Sequence, residues 1–170
     1  MRFLRAIVSP GLFVLFAFAL AMPANADHKE WLKYFSGKWT DENRFWTESG
    51  GWTKVSETRE TELLVDGNAI VDKRKTSDGQ TTVVVLGWDP SKKVLVETAY
   101  TSGGLTWTAT YDSISDNSMS GEALVGSPDG GSAKGRFIIR RKDAHSFTVE
   151  WEVKTSKGEV VKGDGIVSRK

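Results

Sequence analysis

The heptapeptide LTWTATY, residues 105–111, decides the fold class because its apolar side chains alternate strictly with threonines. Its four apolar residues, from Leu105 to Tyr111, fall on one face of an extended chain, since neighbouring side chains of a strand point to opposite sides. The stretch FTVEWEV, residues 147–153, repeats the pattern with threonine and glutamate in the alternate positions. This period of two is typical of half-buried β-strands, so we expect an all-β domain.

Turn-forming residues recur at regular intervals along the rest of the chain. Glycine, asparagine, aspartate and proline supply positive φ angles or local side-chain hydrogen bonds at hairpin tips. Nine such clusters divide the chain into ten predicted strands, which span residues 38–47, 52–64, 69–76, 81–88, 93–101, 105–112, 118–125, 133–142, 146–154 and 159–169. The connections between these strands are short throughout.

Short connections favour pairing between strands that are neighbours in sequence, which gives an up-and-down meander. A meander of ten strands has to protect its edges, and closing into a barrel removes them. The alternative is a two-sheet sandwich, which usually needs longer Greek-key crossings. We therefore predict an antiparallel up-and-down β-barrel of about ten strands.

The first 26 residues have the pattern of a cleaved signal peptide. Arg2 and Arg5 give a basic start, residues 6–21 are almost wholly apolar, and Ala24-Asn25-Ala26 fits the small-x-small rule of a signal peptidase site. A membrane anchor is the alternative, but the apolar core is short and residues 9–11 are Ser-Pro-Gly. We expect one mature domain at 27–170, periplasmic or secreted.

Composition excludes several classes of function. The chain contains no cysteine, which removes thiol chemistry, disulfides and a lipoprotein anchor. Without Arg2 and Arg5, 21 basic residues face 22 acidic ones, a formal charge of −1. That balance gives no support for nucleic-acid binding, and no basic amphipathic helix indicates a membrane surface.

A short helix precedes the first strand. Asp27 and Glu30 have the spacing of a capping box, in which each side chain satisfies a free backbone N–H. Apolar residues follow on one face, and a glycine at position 37 is suited to end the helix with a left-handed residue. The pattern predicts a helix at 29–35.

The segment Gly37-Lys38-Trp39, just after this helix, resembles the Gly-x-Trp signature of the calycins, the superfamily of lipocalins and fatty-acid-binding proteins. The resemblance implies that Trp39 lies at the closed end of the barrel and that a basic residue of the last strand packs over it. Arg169 is the matching residue, with Lys170 as an alternative. A guanidinium stacked on an indole gains cation–π energy and ties the first strand to the last.

The mature chain is also similar to a lipocalin-like bacterial family known as DUF1579. Three segments carry the resemblance: Leu32-Lys-Tyr-Phe35-Ser-Gly37-Lys-Trp39, Leu86-Gly87-Trp88-Asp89, and Ser168-Arg169-Lys170. The resemblance implies a lipocalin-like barrel over most of the mature chain, and no characterised activity comes with it.

The histidines and hydroxyl residues do not form a recognisable catalytic or metal-binding set. The two histidines, His28 and His145, fall in the first turn of the helix and in a hairpin turn. A zinc site needs three or four close ligands, and an activated serine usually sits in a Gly-x-Ser-x-Gly elbow that is not present here. We expect no metal, no haem and no other cofactor.

The second and third strands are rich in charge. Glu57 and Arg59 share one strand face, and Arg74 follows in the next strand. These residues either form ion pairs on the wet outer face or point into the lumen, and an error of one residue in register exchanges the two possibilities. Pointing inwards, they would anchor the polar end of a ligand or shift a pKa.

Aromatic residues on the strands indicate what the barrel holds. The predicted cavity lining is Trp88, Tyr100, Trp107, Tyr111 and Trp151, with Arg59 or Arg74 meeting a polar head group. The predicted function is non-catalytic binding of a small hydrophobic molecule. Two alternatives remain: an isomerase or hydrolase that uses a lumenal carboxylate such as Glu57, and a protein-interaction domain whose barrel is filled by its own side chains.

Overall fold

Ten antiparallel strands close into a barrel in the computed structural model, which describes residues 27–170. The elements are α1 His28–Phe35, β1 Gly37–Thr47, β2 Gly51–Leu64, β3 Ala69–Thr76, β4 Thr81–Asp89, β5 Val94–Thr101, β6 Thr106–Ile114, β7 Ser118–Gly126, β8 Ser132–Arg141, β9 Ser146–Thr155 and β10 Val160–Arg169, with one 3₁₀ turn at Val65–Gly67. Every predicted strand is present, with boundaries that differ by at most two residues. The predicted signal peptide at 1–26 lies outside the described residues.

The barrel is closed by pairing of the first and last strands. Each strand pairs with its neighbours in sequence, and β1 pairs with both β2 and β10. Trp39 lies opposite Arg169, and Thr47 lies opposite Val161. The up-and-down barrel is therefore confirmed, and the two-sheet sandwich is wrong. Closure pairs both edges that an open meander would leave free.

Helix α1 plugs one end of the barrel, which we call the closed end. Its N-terminus is capped by Asp27, whose carboxylate accepts a hydrogen bond of 2.9 Å from the backbone N–H of Lys29. Trp31, Leu32 and Phe35 are almost fully buried under the barrel. The helix is far too short to cross a membrane, and the described residues contain no other helix that is long and apolar enough to do so.

Gly37 has the predicted positive φ directly after α1, but it is the first residue of β1 and not the C-cap of the helix. Ser36 is the C-cap, with an extended backbone, and Gly37 begins β1 with a φ of +121°. A Cβ atom at Gly37 would lie 2.7 Å from Nη1 of Arg169. Glycine is needed at this position because its backbone angle is rare for other residues and because the guanidinium occupies the space of a side chain.

The guanidinium of Arg169 joins three elements at the closed end. Its Cζ lies 4.2 Å from the ring centroid of Trp39. Its Nη1 donates to the carbonyl of Ser36 at 2.9 Å, and its Nη2 donates to the carbonyl of Tyr34 at 2.8 Å. These contacts connect β10 to β1 and to the end of α1. Lys170, the alternative residue, instead pairs through its backbone N–H with the carbonyl of Lys38.

Candidate functional site

Six ionisable side chains from four strands line the inside of the barrel. Because side chains alternate along each strand, one set of charges on β2 and β3 faces inwards and the other faces solvent. The inward set, which we call the charged belt, is Asp41, Glu57, Arg59, Asp72, Arg74 and Glu97. The outward set forms exposed ion pairs, such as Lys38–Glu60 at 3.4 Å and Lys73–Glu62 at 3.5 Å. Glu57, Arg59 and Arg74 therefore point into the lumen, and other residues of the same strands form the ion pairs on the outer face.

Arg59 lies between two aspartates of the charged belt. Its guanidinium pairs with the carboxylate of Asp41, and its Nη1 lies 3.7 Å from Oδ2 of Asp72. The Arg59 side chain is 9% exposed, and that of Asp41 is fully buried. A buried ion pair of this kind is costly to break, because one charge would stay in the interior without its partner.

Asp72 joins Arg59 to the second arginine. Its Oδ2 accepts a hydrogen bond of 2.7 Å from Nε of Arg74, and its Oδ1 accepts one of 3.1 Å from the hydroxyl of Thr61. Burial acts to raise the pKa of Asp72, but the charges of Arg74 and Arg59 and these hydrogen bonds outweigh burial and lower it. Burial likewise acts to lower the pKa of Arg74, but the charges of Asp72 and Glu97 outweigh it and raise that pKa. Asp72 and Arg74 therefore stay ionised inside the barrel.

Glu97 completes the charged belt from β5. Its two carboxylate oxygens accept hydrogen bonds from Nε1 of Trp107 at 2.5 Å and from the hydroxyl of Tyr111 at 3.0 Å. Burial is the main cause that raises the pKa of Tyr111 well above its usual range, and the negative charge of Glu97 is the second. The phenol therefore remains a neutral donor. Both oxygens of Glu97 are thus satisfied by aromatic donors.

Two buried carboxylate oxygens of the charged belt differ from the rest, because they accept no hydrogen bond from the described residues. They are Oδ1 of Asp41 and Oε2 of Glu57. Asp41 and Glu57 lie directly opposite each other on β1 and β2. A buried polar atom without a partner costs about 1–3 kcal/mol, so this corner of the lumen is destabilised as it stands.

The closed-end half of the lumen is nearly filled. A cavity of about 40 Å³ adjoins the charged belt between Arg59, Arg74 and Glu97 on one side and Trp39 and Phe147 on the other. That volume accommodates one water-sized group, and a drug-sized ligand needs several hundred Å³. A larger molecule therefore has no room between the charged belt and α1.

Aromatic side chains line the other half of the lumen. The strand register places Phe137, Trp151 and Phe45 in one row, four residues along β1 from Asp41 towards the end opposite α1. We call these three residues with Trp107 the aromatic wall, and all four are half-buried. Trp151 stacks on Phe137 with 6.2 Å between ring centroids. Gly163 is what leaves room for the Trp151 ring, because a Cβ atom there would lie 2.5 Å from it.

The structure brings together four of the predicted ligand-binding residues. Trp107 and Tyr111 meet Glu97, and Arg59 and Arg74 meet Asp72, all on the inside of the barrel. Trp151 also faces inwards, in the aromatic wall.

Tyr100 does not line the cavity, and its assignment to the lumen is wrong. Its side chain is 63% exposed and lies on the outer face of β5, opposite Val83. The inner face of β5 is formed instead by Leu95, Glu97 and Ala99, which are buried. The sequence of β5 misleads because apolar residues occupy both of its faces.

Trp88 lies away from the charged belt, near the closed end. Its ring stacks on His28 of α1, with 4.2 Å between centroids and an interplanar angle of 6°. The imidazole Nε2 of His28 is 3.4 Å from Oδ1 of Asn68. Trp88 therefore helps to hold α1 against the barrel.

Sequence reasoning missed Asp41 and Glu97 as members of the site. Asp41 follows Trp39 by two positions and shares its strand face, which is the signal that places it inside. Glu97 is the one charged residue in the strand VLVETAYT, where a lone carboxylate indicates a buried partner. Among residues 27–170, no group of three or more His, Asp or Glu side chains is placed to hold a metal ion.

The closed meander, the helical plug and the stacked Trp39–Arg169 pair define a calycin-like, lipocalin-like barrel. The chain belongs to the DUF1579 family, described as a protein of unknown function, whose family model matches residues 24–166. The resemblance seen in the sequence is thereby confirmed. No curated protein sequence matches the chain significantly.

Solved structures with similar folds include Rv2717c from M. tuberculosis, at 12% identity and a TM-score of 0.61, with 85% of this chain and 98% of that chain covered. The S-type phycobiliprotein lyase CPES from Guillardia theta is 13% identical with a TM-score of 0.51, over 84% of this chain and 92% of that chain. At these identities the likeness concerns the fold alone.

Proposed function

We propose that the protein is an exported, non-catalytic carrier that binds a small molecule between the aromatic wall and the charged belt. The observation that carries this proposal is the pair of unpartnered, buried oxygens on Asp41 and Glu57. A ligand with two hydrogen-bond donors would satisfy both of them and recover the cost of their burial. The barrel then gains stability from the ligand.

The aromatic wall suits the apolar body of such a ligand. Phe137 and Trp151 offer a stacked pair of rings, and Phe45 extends the same row. Each aromatic side chain can bury a large apolar area, and pockets for small molecules are mostly apolar with a few placed polar groups. The filled half beside α1 limits the ligand to the other half of the lumen.

The fold is compatible with this role. A phycobiliprotein lyase has a barrel of the same kind, although the low identity limits that comparison to the fold. The basic and apolar pattern of residues 1–26 supports export to the periplasm or the medium, where a carrier meets its ligand outside the cytoplasm.

Native mass spectrometry of the protein from its host's exported fraction tests this proposal. We expect a chain that begins at Asp27 and carries an added mass that organic solvent releases. Trp151→Ala should lower the fraction of loaded protein, whereas Trp52→Ala should not, because the Trp52 side chain is 50% exposed. A bare chain in all three samples, with no apolar probe bound on titration, would exclude a carrier.

Glu57 also favours a second candidate, an enzyme in which its free oxygen acts as a general base. A buried carboxylate with no hydrogen-bond donor on one oxygen is positioned to accept a proton from a substrate. Turnover of a bound compound that is lost in Glu57→Gln, while binding remains, would support the enzyme over the carrier.

A further inference from the structure

The two arginines inside the barrel are already neutralised by the protein itself. Arg59 pairs with Asp41 and approaches Asp72, and Arg74 donates to Asp72. A carboxylate head group at either arginine would have to displace a buried ion pair, which is costly. The arginines are therefore poorly placed to receive an anionic ligand.

The charged belt instead carries an excess of acid. Its four carboxylates face two guanidiniums, which leaves a formal charge of −2 when all six groups are ionised. Because Arg59 pairs with Asp41 and Arg74 with Asp72, the two surplus carboxylates are Glu57 and Glu97. Glu97 accepts hydrogen bonds from Trp107 and Tyr111, whereas Glu57 and its neighbour Asp41 each keep a buried oxygen without a donor. Like charges directly opposite each other on paired strands repel, and burial strengthens the repulsion.

The two residues that carry the free oxygens are cross-strand neighbours. Asp41 and Glu57 are directly opposite in the register of β1 and β2, which places their Cβ atoms about 4.5–5.5 Å apart on the inner face. Asp41 is 1% exposed, and the free oxygens of both residues are buried. One cationic group with two N–H donors can reach both of them.

We propose that the ligand carries a protonated amine or amidinium, which binds Asp41 and Glu57 while its apolar body packs on the aromatic wall. This inference rests on the proposed carrier function and names the class of molecule carried. An ammonium group supplies up to three donors, and aromatic rings attract cations through their π faces. Ca²⁺ or Mg²⁺ fits less well, because each needs six or more oxygen ligands and the described residues offer no cluster that supplies them.

Three probes of one chain length test the charge preference: octylammonium, octanol and octanoate, titrated into the mature chain at pH 7 by calorimetry. We expect octylammonium to bind at least about tenfold more tightly than octanoate. Glu57→Gln should reduce that preference to less than about threefold. The matched control is Glu60→Gln. Glu60 lies on the same strand but on the exposed outer face, so this substitution should leave all three affinities unchanged.

The outcomes separate this inference from the carrier function. If octanol or octanoate binds, if Trp151→Ala weakens that binding, and if octylammonium is not preferred, the carrier stands and the cationic ligand is wrong. If Glu57→Gln keeps the full preference for octylammonium, the proposed contact is also wrong. If none of the probes binds and the protein from its host carries no added mass, both proposals fail together.

Discussion

Replacing Glu57 by glutamine should make the empty protein more stable. The substitution keeps the shape of the side chain but removes one negative charge from the pair that Glu57 forms with Asp41 across β1 and β2. The new amide can also donate to Oδ1 of Asp41, which has no partner in the described structure. Relief of one or both unpaired oxygens corresponds to a gain of about 1–3 kcal/mol in the free energy of unfolding.

Urea denaturation at pH 7 measures this gain directly. With a slope of about 2 kcal/mol per molar urea, the midpoint should rise by about 0.5–1.5 M. Glu60→Gln is the control, because Glu60 lies on the outer face of the same strand and its ion pair with Lys38 is exposed. Its effect should stay within about 0.5 kcal/mol.

A Glu57→Gln protein that is less stable than the parent, or changed no more than Glu60→Gln, would refute this reasoning. The first result would mean that the Glu57 carboxylate is stabilised by contacts that glutamine cannot make. The expected result is that Glu57→Gln raises the stability of the empty protein and lowers its affinity for a cationic probe. A binding site often has this property, because residues that serve binding can reduce stability.

Three further experiments test the contacts at the closed end and in the charged belt. Trp39→Ala and Arg169→Ala should each destabilise the fold, and a double-mutant cycle by urea denaturation should give a coupling energy of about 0.5–2 kcal/mol; additive losses would mean that the stacking contributes nothing. Tyr111→Phe should cost about 1–3 kcal/mol of stability, because it removes a hydrogen-bond donor from the buried carboxylate of Glu97. Tyr100 is exposed, so Tyr100→Phe should change stability by less than about 0.5 kcal/mol. Equal effects would contradict the assignment of inner and outer faces. Asp72→Asn should cost about 3–5 kcal/mol of stability at pH 7. Because the folded-state pKa of Asp72 is lowered, the stability that its carboxylate contributes is present above about pH 4 and is lost as the pH falls through that pKa. Thermal melts of the parent and the variant should therefore converge in acid, and a stability deficit that stays constant down to about pH 2 would argue against the ion pairs.

Sequence patterns were sufficient for the strands and their order, because both depend on local chemistry. Turn residues mark each hairpin, and the period of two on β6 and β9 makes the strand assignment unambiguous. Short connections then leave neighbour pairing as the simplest topology. The closing contact between Trp39 and Arg169 was accessible only through the resemblance to calycins, since it joins the two ends of the domain.

The inner and outer faces were harder to assign, because on several strands apolar or charged residues occupy both. Tyr100 was placed in the lumen because apolar residues occupy both faces of its strand, yet Leu95 and Ala99 are the residues that face inwards. Glu57 and Glu60 illustrate the same problem, since only the register distinguishes a buried carboxylate from a solvated one.

The charged belt could not be predicted as a unit. Its members come from β1, β2, β3 and β5, and their pairing depends on which side chains meet across the lumen. Glu97 shows the limit clearly, because its two donors, Trp107 and Tyr111, lie on the next strand and were assigned to an apolar lining. Strand register and barrel closure bring these groups together, and neither is written in any short motif.

A crystal structure of the protein isolated from its host's exported fraction tests the central claim most directly. We predict electron density for a small molecule against Phe137 and Trp151, with a donor group within hydrogen-bonding distance of Oε2 of Glu57 and Oδ1 of Asp41. A lumen filled by the protein's own side chains, with both of these oxygens paired within the chain, would contradict the proposal that this barrel is a carrier.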